Sequence, residues 1–298
     1  MTEVLARPDG SAAEPAAPRT TILRRFLRDR IAVVAVAYLV ALVVVAGLAP
    51  LLAPADPLAQ DLGSRLTPPG PGHPLGADEL GRDQLSRLLY GARVSLLAAL
   101  QAVAIGAVVG VPLGVLAGFS GRTLDAWLGR LMDVLMSVPG IILALTVVAV
   151  LGRDITTAMI AVGIILVPRF HRVARAATTD LRHETFIEAS RTIGCSRARI
   201  LGTHVLPNIL PVLVVQLSIM LGVAVTAEAS LSFLGMGVRP PAASWGSMLN
   251  SAFANVVVAP YLVYAPGLAI TLTVLAFSLA GDGLRKAVGR RGAADRSL

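Results

Sequence analysis

The feature that most limits how this chain can fold is a series of apolar runs long enough to cross a lipid bilayer. A spanning helix needs about 20 mostly apolar residues. Hydrophobic residues make up 55% of the 298 and charged residues only 15%, whereas soluble domains carry about 25% charged residues. We therefore predict an all-α integral membrane protein with six transmembrane helices, at 31–52, 94–118, 134–151, 155–171, 209–233 and 261–281.

The distribution of arginine and lysine predicts the orientation of these helices, because loops rich in these residues stay in the cytoplasm. Of the 26 arginines and lysines, 20 lie in four segments that alternate with the remaining ones: the N-terminal tail, 119–133, 169–208 and the C-terminus. Both termini are therefore predicted to be cytoplasmic. The net charge of +8 is then explained by the basic residues that keep the inner segments in the cytoplasm. Because only 4% of the residues are aromatic and the basic residues form no continuous stripe, the sequence does not favour nucleic-acid binding.

This topology divides the chain into five segments. We expect a disordered cytoplasmic tail at 1–20, the region of the first transmembrane helix at 21–53 and an extracytoplasmic segment at 54–93. A core at 94–286 would hold the other five spans and the polar inner connection at about 182–208, and a cytoplasmic tail would follow at 287–298. The first segment is rich in alanine and proline and has no apolar centre, which is typical of disorder.

The second predicted span repeats a glycine every four residues, at Gly106, Gly110, Gly114 and Gly118. On a helix these positions lie on one face, where the lack of side chains lets a neighbouring backbone approach closely. Glycine is common in membrane helices in any case, so the pattern indicates tight helix packing and not a binding site. Pro112 in this span and Pro139 near the start of the third should kink or loosen their helices.

The longest inner connection contains two short polar helices. Small or apolar residues recur there at the spacing of one helical face, at Phe186, Ala189, Ser190 and Ile193. Gly194 fits the end of the first helix, because glycine adopts a left-handed backbone conformation at little cost. Ser196 can cap the second helix, which Pro207 should end before the fifth span. This helix–turn–helix either lies on the membrane surface or docks into a groove of a partner protein, and periodicity does not choose between these.

The identity of the residues helps to choose between membrane-surface binding and docking to a partner protein. The stretch from Glu188 to Pro207 resembles the EAA loop of bacterial ABC-importer permeases. That loop reads Glu-Ala-Ala, three residues, Gly, nine residues, an apolar residue, any residue and Leu-Pro. The matching positions are Glu188, Ala189, Gly194, Leu206 and Pro207. Ser190 replaces the second alanine, and His204 takes the place of the usual isoleucine, a change similar to that of the peptide-transporter branch.

Three further stretches are similar to the dipeptide/oligopeptide/nickel permeases of the DppC/OppC type. They are FLRDRIAVVAVAYLVALVVVAGLAPLLAP at 26–54, HPLGADELGRDQLSRLLYGARVSL at 73–96 and EASLSFLGMGVRPPAASWGSML at 228–249. The resemblance covers about residues 20–286, with the motifs in the family's order. It implies the type I ABC-importer permease fold, with six transmembrane helices and a cytoplasmic coupling helix.

The resemblance implies the permease subunit of an ATP-driven importer of di- or oligopeptides. The implied partners are a second permease of the DppB/OppB type, two ATPase subunits of the DppD/DppF type or one fused ATPase chain, an extracytoplasmic binding protein and the lipid membrane. The ATPases, and not this chain, would use ATP and Mg. In this scheme Glu188 pairs with a basic residue in a groove of an ATPase subunit, Ala189 and Ser190 allow close approach, and Gly194 supplies the turn. The other EAA-loop positions share this coupling role.

One carboxylate and one tryptophan near the outer ends of the spans have two interpretations each. Glu228 either lines the pathway or fixes the register of two helices, unless it lies at the outer interface, where water relieves its charge. Trp245, with Pro240 and Pro241, is predicted to shape a partly re-entrant outer loop, with interfacial anchoring as the alternative.

Four charged residues cluster on the outer segment before the second span, at Asp78, Glu79, Arg82 and Asp83. They could contact the binding protein or brace the outer mouth of the pathway. A solvated cluster of local ion pairs is the interpretation that we favour from the sequence.

Neither a catalytic site nor a metal site is expected. The four histidines lack metal-binding spacing, and the only lysine, Lys286, does not follow the pattern of a phosphate-binding loop. An ion-driven secondary transporter is the alternative function, but it should show inverted repeats and several midplane carboxylates, and Glu228 is the single candidate. A membrane-embedded enzyme would need converging nucleophiles or metal ligands within the spans, and the sequence offers none.

Overall fold

The computed structural model describes residues 22–294, and the regular secondary structure of this range is helical. The tail predicted at 1–20 therefore lies outside the described residues. The helices are α1 Ile22–Phe26, α2 Arg30–Gly47, α3 Ala49–Leu52, α4 Gln84–Phe119, α5 Arg122–Ser137, α6 Gly140–Leu151, α7 Ile155–Leu181, α8 Thr185–Thr192, α9 Arg197–Ile200, α10 Leu206–Phe233, α11 Trp245–Ala254 and α12 Tyr261–Ala294. A 3₁₀ turn occupies Leu62–Ser64 and a π-helical turn Leu201–Val205.

Five helices in this range are long and apolar enough to cross a membrane, and the count reaches six if the bent pair α5–α6 is one span. Several helices extend beyond the predicted spans. Helix α4 begins ten residues before position 94, because the Asp83 carboxylate caps it by accepting the Ser86 N–H at 2.7 Å. Helix α7 continues to Leu181 and α12 to Ala294, so both extend past the apolar stretch that defined the predicted span.

The third predicted span, 134–151, is not one continuous helix, and the kink expected at Pro139 is confirmed. Helices α5 and α6 meet at an angle of 83°. The break falls at Pro139, which lacks an N–H and disfavours the helical conformation of the residue before it, and Val138 is accordingly extended with ψ 128°. Helix α4, in contrast, continues through Pro112 without interruption.

Helices α4 and α7 pack through the glycine-lined face of α4. A Cβ at Gly110 would lie 2.5 Å from the Val167 carbonyl oxygen, and one at Gly118 would lie 2.6 Å from the Arg175 carbonyl oxygen. Gly114 and Gly106 face the same helix as closely. The two backbones therefore approach to a distance that only glycine permits on the α4 side.

Helix α2 packs on α12 at the edge of the bundle through small side chains. Ala32, Ala35 and Ala46 are its buried residues, whereas four valines are exposed, as expected for a face that contacts lipid: Val34, Val40, Val43 and Val44. At the inner end, the Lys286 ammonium donates to the Asp29 carboxylate at 3.0 Å. This hydrogen bond holds the pKa of Asp29 below its ordinary value and ties α2 to α12.

Candidate functional site

The inner connection folds as two short helices joined by a glycine turn. Gly194 has a φ of +80°, a backbone conformation that other residues adopt only with strain. The Gly194 N–H donates to the Arg191 carbonyl and the Cys195 N–H to the Ser190 carbonyl, both at 3.0 Å. These two bonds form a Schellman motif, which ends α8 and fixes the direction of the following segment.

The face predicted for α8 is divided in the structure. Phe186, Ala189 and Ile193 are exposed together, and Ile193 reaches 79% exposure. Ser190, predicted on the same face, is instead buried with Ile187. Helix α8 therefore packs on the protein through the Ile187–Ser190 side and presents a small apolar face to its surroundings.

The Glu188 side chain lies beside this exposed face. It is exposed, and within residues 22–294 no basic group pairs with its carboxylate. An unpaired carboxylate next to an apolar face suits docking to a basic groove, since a charged pair there fixes orientation.

Helices α8 and α9 are attached to the spans by an apolar cluster. Ile187 of α8 and Ile200 of α9 are fully buried against Ala174 of α7 and Ile209 of α10. The Arg191 guanidinium lies 4.8 Å from the ring centre of Phe119, at the end of α4. The two short helices thus contact three long helices at once through packed side chains.

The expectation that Pro207 ends the second short helix is wrong. The segment Arg197–Phe233 is one continuous helix. The chain passes Pro207 through the π-helical turn, in which the Leu206 N–H donates to the Leu201 carbonyl five residues back. The wider turn accommodates the proline ring, and the His204 ring in it makes an edge contact with Phe186, at 6.4 Å between centroids.

The interpretation of the outer charged cluster as solvated is wrong. Asp78, Arg82 and Asp83 are buried, and only Glu79 is partly exposed. The Asp78 carboxylate lies 2.7 Å from Nε of Arg82 and 3.3 Å from Nε of Arg87, so it bridges two arginines. Such a network holds the segment before α4 in one arrangement and leaves little of it for contact with another protein.

Two residues of this network were missed from the sequence. Arg87 lies on the first turns of α4, where a lone arginine between apolar residues is the signal that could have drawn attention. His73 places Nδ1 3.1 Å from the Asp83 carboxylate, and the second oxygen of Asp83 caps α4. The bracing interpretation therefore fits the buried members of the cluster better than a binding surface does.

Glu228 is fully buried within α10, so it faces neither water nor a cavity in this conformation. The Ser232 hydroxyl donates to its Oε1 at 2.7 Å, and Oε2 has no hydrogen-bond partner among the described residues. At the next residue of α10, the Ala229 carbonyl oxygen would lie 2.5 Å from a Cβ at Gly246 of α11. Glu228 therefore lies where α10 and the start of α11 pack most closely.

Trp245 is buried rather than placed at a membrane interface. Its backbone N–H donates to the Ser95 hydroxyl at 3.2 Å, and its indole N–H donates to the Leu88 carbonyl at 3.1 Å. Both partners lie on α4. The first turn of α11 is thus bound to α4 as well as to α10, which folds the outer loop back against the bundle.

A cavity of about 380 Å³ lies between α6, α7 and α10. Its lining residues are mostly apolar, and the polar or charged ones are Thr226, Ser230 and Arg169. Glu228 does not line it.

Two families of known proteins match parts of this chain. Residues 110–292 match the family described as the binding-protein-dependent transport system inner membrane component. This match covers more than half of the chain. The chain belongs to this permease family. Residues 18–69 match the N-terminal transmembrane domain of oligopeptide transport permease C.

Curated relatives align with this permease over most of its length. The glutathione transport system permease protein GsiD of Pectobacterium atrosepticum is 43% identical over 266 residues. The protein of the same name from Salmonella typhimurium is 46% identical over the same length. Both alignments cover 89% of this chain and 88% of the relative.

The solved structures support the fold of this permease. Two crystal forms of the MetNI methionine ABC transporter in inward-facing conformations match with a TM-score of 0.56 and 22% identity. The first match covers 67% of this chain and 96% of that one. The predicted ABC-importer permease fold is therefore confirmed.

Family membership settles the general role of the chain. It is a multi-pass inner-membrane subunit of an ABC importer, and it works with a second permease, ATPase subunits and an extracytoplasmic binding protein. It is not an enzyme, because its partner ATPase subunits hydrolyse ATP.

Proposed function

We propose that this permease imports short peptides or peptide-like thiols such as glutathione, in a complex of the dipeptide/oligopeptide type. The supporting observation is that relatives 43–46% identical over 89% of the chain are glutathione transport permeases. The match of residues 18–69 to oligopeptide transport permease C points to the same class of cargo. The second permease would be of the DppB/OppB type and the ATPases of the DppD/DppF type.

We also propose that α8 is the element to which an ATPase subunit binds. Its support is the exposed face of Phe186, Ala189 and Ile193 beside the unpaired carboxylate of Glu188. When the ATPases bind ATP and Mg and close, they would move α8, and the apolar cluster around Ile187 would pass that movement to α4, α7 and α10. Import requires that nucleotide and cargo each bind the two arrangements with different affinity.

The cargo proposal is tested by reconstitution. The permease pair, the ATPases and the cognate binding protein are assembled in phospholipid vesicles, and uptake of labelled glutathione, dipeptides and tetrapeptides is measured with ATP on the ATPase side. We expect saturable uptake of at least one of these that stops without ATP. Uptake of none of them, with transport of a sugar or a free amino acid instead, would contradict the proposal.

The coupling proposal is tested by Glu188→Lys. Reversal of this charge should leave membrane insertion intact and reduce cargo-stimulated ATP hydrolysis at least tenfold, because the lysine repels the basic groove. Asp180→Lys is the matched control, since Asp180 is exposed near the inner end of α7 and should tolerate the change. Full cargo-stimulated hydrolysis and uptake in the Glu188→Lys complex would refute the coupling role.

A further inference from the structure

Arg169 is a charged side chain near the inner end of the fourth predicted span, 155–171. It lies fourteen residues after the start of α7 at Ile155, or about 21 Å along the helix axis at 1.5 Å per residue. The hydrocarbon layer is about 30 Å thick. A guanidinium facing lipid is costly, so such residues face a cavity or a partner group, or reach the interface when they lie near the end of a span.

The surroundings of Arg169 show which side it faces. Its neighbours Leu166, Val167, Pro168 and Phe170 are buried, whereas Arg169 is exposed and lines the cavity between α6, α7 and α10. Within residues 22–294 its guanidinium has no hydrogen bond and no ion pair. The lining of the cavity thus includes one cationic residue that has no partner among the described residues.

The other lining residues determine which chemical groups the cavity can contact. Arg169 is the single charged residue among the described residues that line it. The Thr226 and Ser230 hydroxyls donate to carbonyls of their own helix, at 3.0 and 2.8 Å, so their oxygens are left as acceptors. The cavity therefore offers apolar contact, two weak acceptors and one fixed positive charge, which is a site for an anionic group on a partly apolar molecule.

We propose that Arg169 binds the carboxylate of the cargo as it crosses the membrane. This inference rests on the proposed function, since every peptide with a free C-terminus and glutathione carry a carboxylate. A guanidinium presents paired N–H donors that match the two oxygens of a carboxylate. The groove between α6, α7 and α10 is then one wall of the pathway, and the second permease supplies the other wall.

A single ion pair suits a transport pathway better than a closed binding pocket. A site along a pathway must attract the cargo strongly enough for entry and weakly enough for release. One arginine on an otherwise apolar wall meets both requirements. It also makes Arg169 a specificity-determining residue, because a cargo without a carboxylate loses its only charged contact on this wall.

Uptake by reconstituted vesicles tests this inference. Arg169→Gln and Arg169→Lys complexes receive binding protein preloaded with a dipeptide that has either a free or an amidated C-terminus. We expect Arg169→Gln to lower uptake of the free-carboxylate dipeptide about tenfold, in line with loss of a charged hydrogen bond. Uptake of the amidated dipeptide should be unchanged, and Arg169→Lys should recover part of the loss.

Arg172→Gln is the matched control. Arg172 lies one turn further along α7, is exposed, and lines a different groove against α5, where its Nη2 contacts the Met136 sulfur at 3.2 Å. Its replacement should leave the ratio of the two uptake rates at the wild-type value.

Three results would overturn the inference. Equal uptake of both dipeptides by Arg169→Gln and wild type would remove any role in cargo binding. An equal loss for both dipeptides, with the permease pair dissociating, would make Arg169 a contact with the second permease instead. An equal loss with an intact pair would assign Arg169 to the lipid headgroup region. If wild type imports neither dipeptide, the proposed cargo fails first, and that result is separate from these three.

Discussion

At the scale of single residues, four of the five glycines of α4 set the distance between α4 and α7, and they are Gly106, Gly110, Gly114 and Gly118. Gly110→Ala places a methyl group 2.5 Å from a carbonyl oxygen of α7, and a backbone atom cannot rotate away. We expect a loss of stability of about 1–3 kcal/mol, the usual cost of overpacking. The measurement is the free energy of unfolding of the purified permease in detergent.

Gly129→Ala is the control for this change. No atom lies within 4 Å of the position that its Cβ would take, and alanine favours a helix over glycine by about 1 kcal/mol. This variant should be as stable as wild type or more stable. A Gly110→Ala protein as stable as Gly129→Ala would show that the two helices are not held as closely as described.

Glu228 allows a second test at this scale. Glu228→Ala removes the acceptor of the buried Ser232 hydroxyl, and an unsatisfied buried polar group costs about 1–3 kcal/mol. Glu228→Gln keeps an acceptor oxygen and should lose less. Ser230→Ala, whose hydroxyl bonds only within its own helix, should stay within about 0.5 kcal/mol of wild type. Equal stability of all four proteins would place Glu228 outside the packed contact of α10 and α11.

At the scale of elements, the segment before α4 depends on Asp78. Asp78→Ala leaves Arg82 and Arg87 buried and without their shared carboxylate, and breaking a buried pair costs about 3–5 kcal/mol. The measurement is thermal unfolding together with proteolysis of the outer segment. Glu79→Gln should change stability by less than about 1 kcal/mol, because Glu79 is partly exposed and 3.6 Å from Arg82. Equal effects of the two substitutions would mean that the network is solvated after all.

The sequence predicted those elements whose cause is local. The turn after α8 followed from Gly194, and the spans followed from apolar runs, because both depend on residues close together in the chain. The break between α5 and α6 was expected only as a kink at Pro139, since the size of the bend is set by packing on α7. The continuous helix through Pro207 was missed because a π-helical turn relieves the clash.

Contacts between different elements of the fold could not be predicted from local sequence patterns. Ile187 and Ser190 became the packed side of α8 because α7 and α10 lie there, and periodicity placed Ser190 on the other side. The outer charges were expected in solvent because nothing nearby in sequence reveals that Arg87 meets Asp78 on a buried surface. The position of Arg169 beside a cavity could be recognised only from the structure, in which residues of α6 and α10 line that cavity with it.

At the scale of the whole molecule, the permease connects two regions on opposite sides of the membrane. The outer segment and the start of α11 are fixed to α4 by buried polar contacts, and α8 is fixed to α4, α7 and α10 by an apolar cluster. Helix α4 thus takes part at both ends. A movement of α8 would reach the outer side through α4 without passing through a flexible loop.

The most direct test of this account is a cross-link from α8 to an ATPase subunit. Ala189→Cys is introduced with Cys195→Ser, which removes the single native cysteine, and a short thiol-to-amine reagent is applied to the assembled transporter. Val257→Cys, exposed on the outer loop, is the control. We predict that Ala189→Cys captures an ATPase subunit, with a yield that changes with bound nucleotide, and that Val257→Cys captures none. A transporter that is active but yields no ATPase adduct from Ala189→Cys in any nucleotide state would contradict the account.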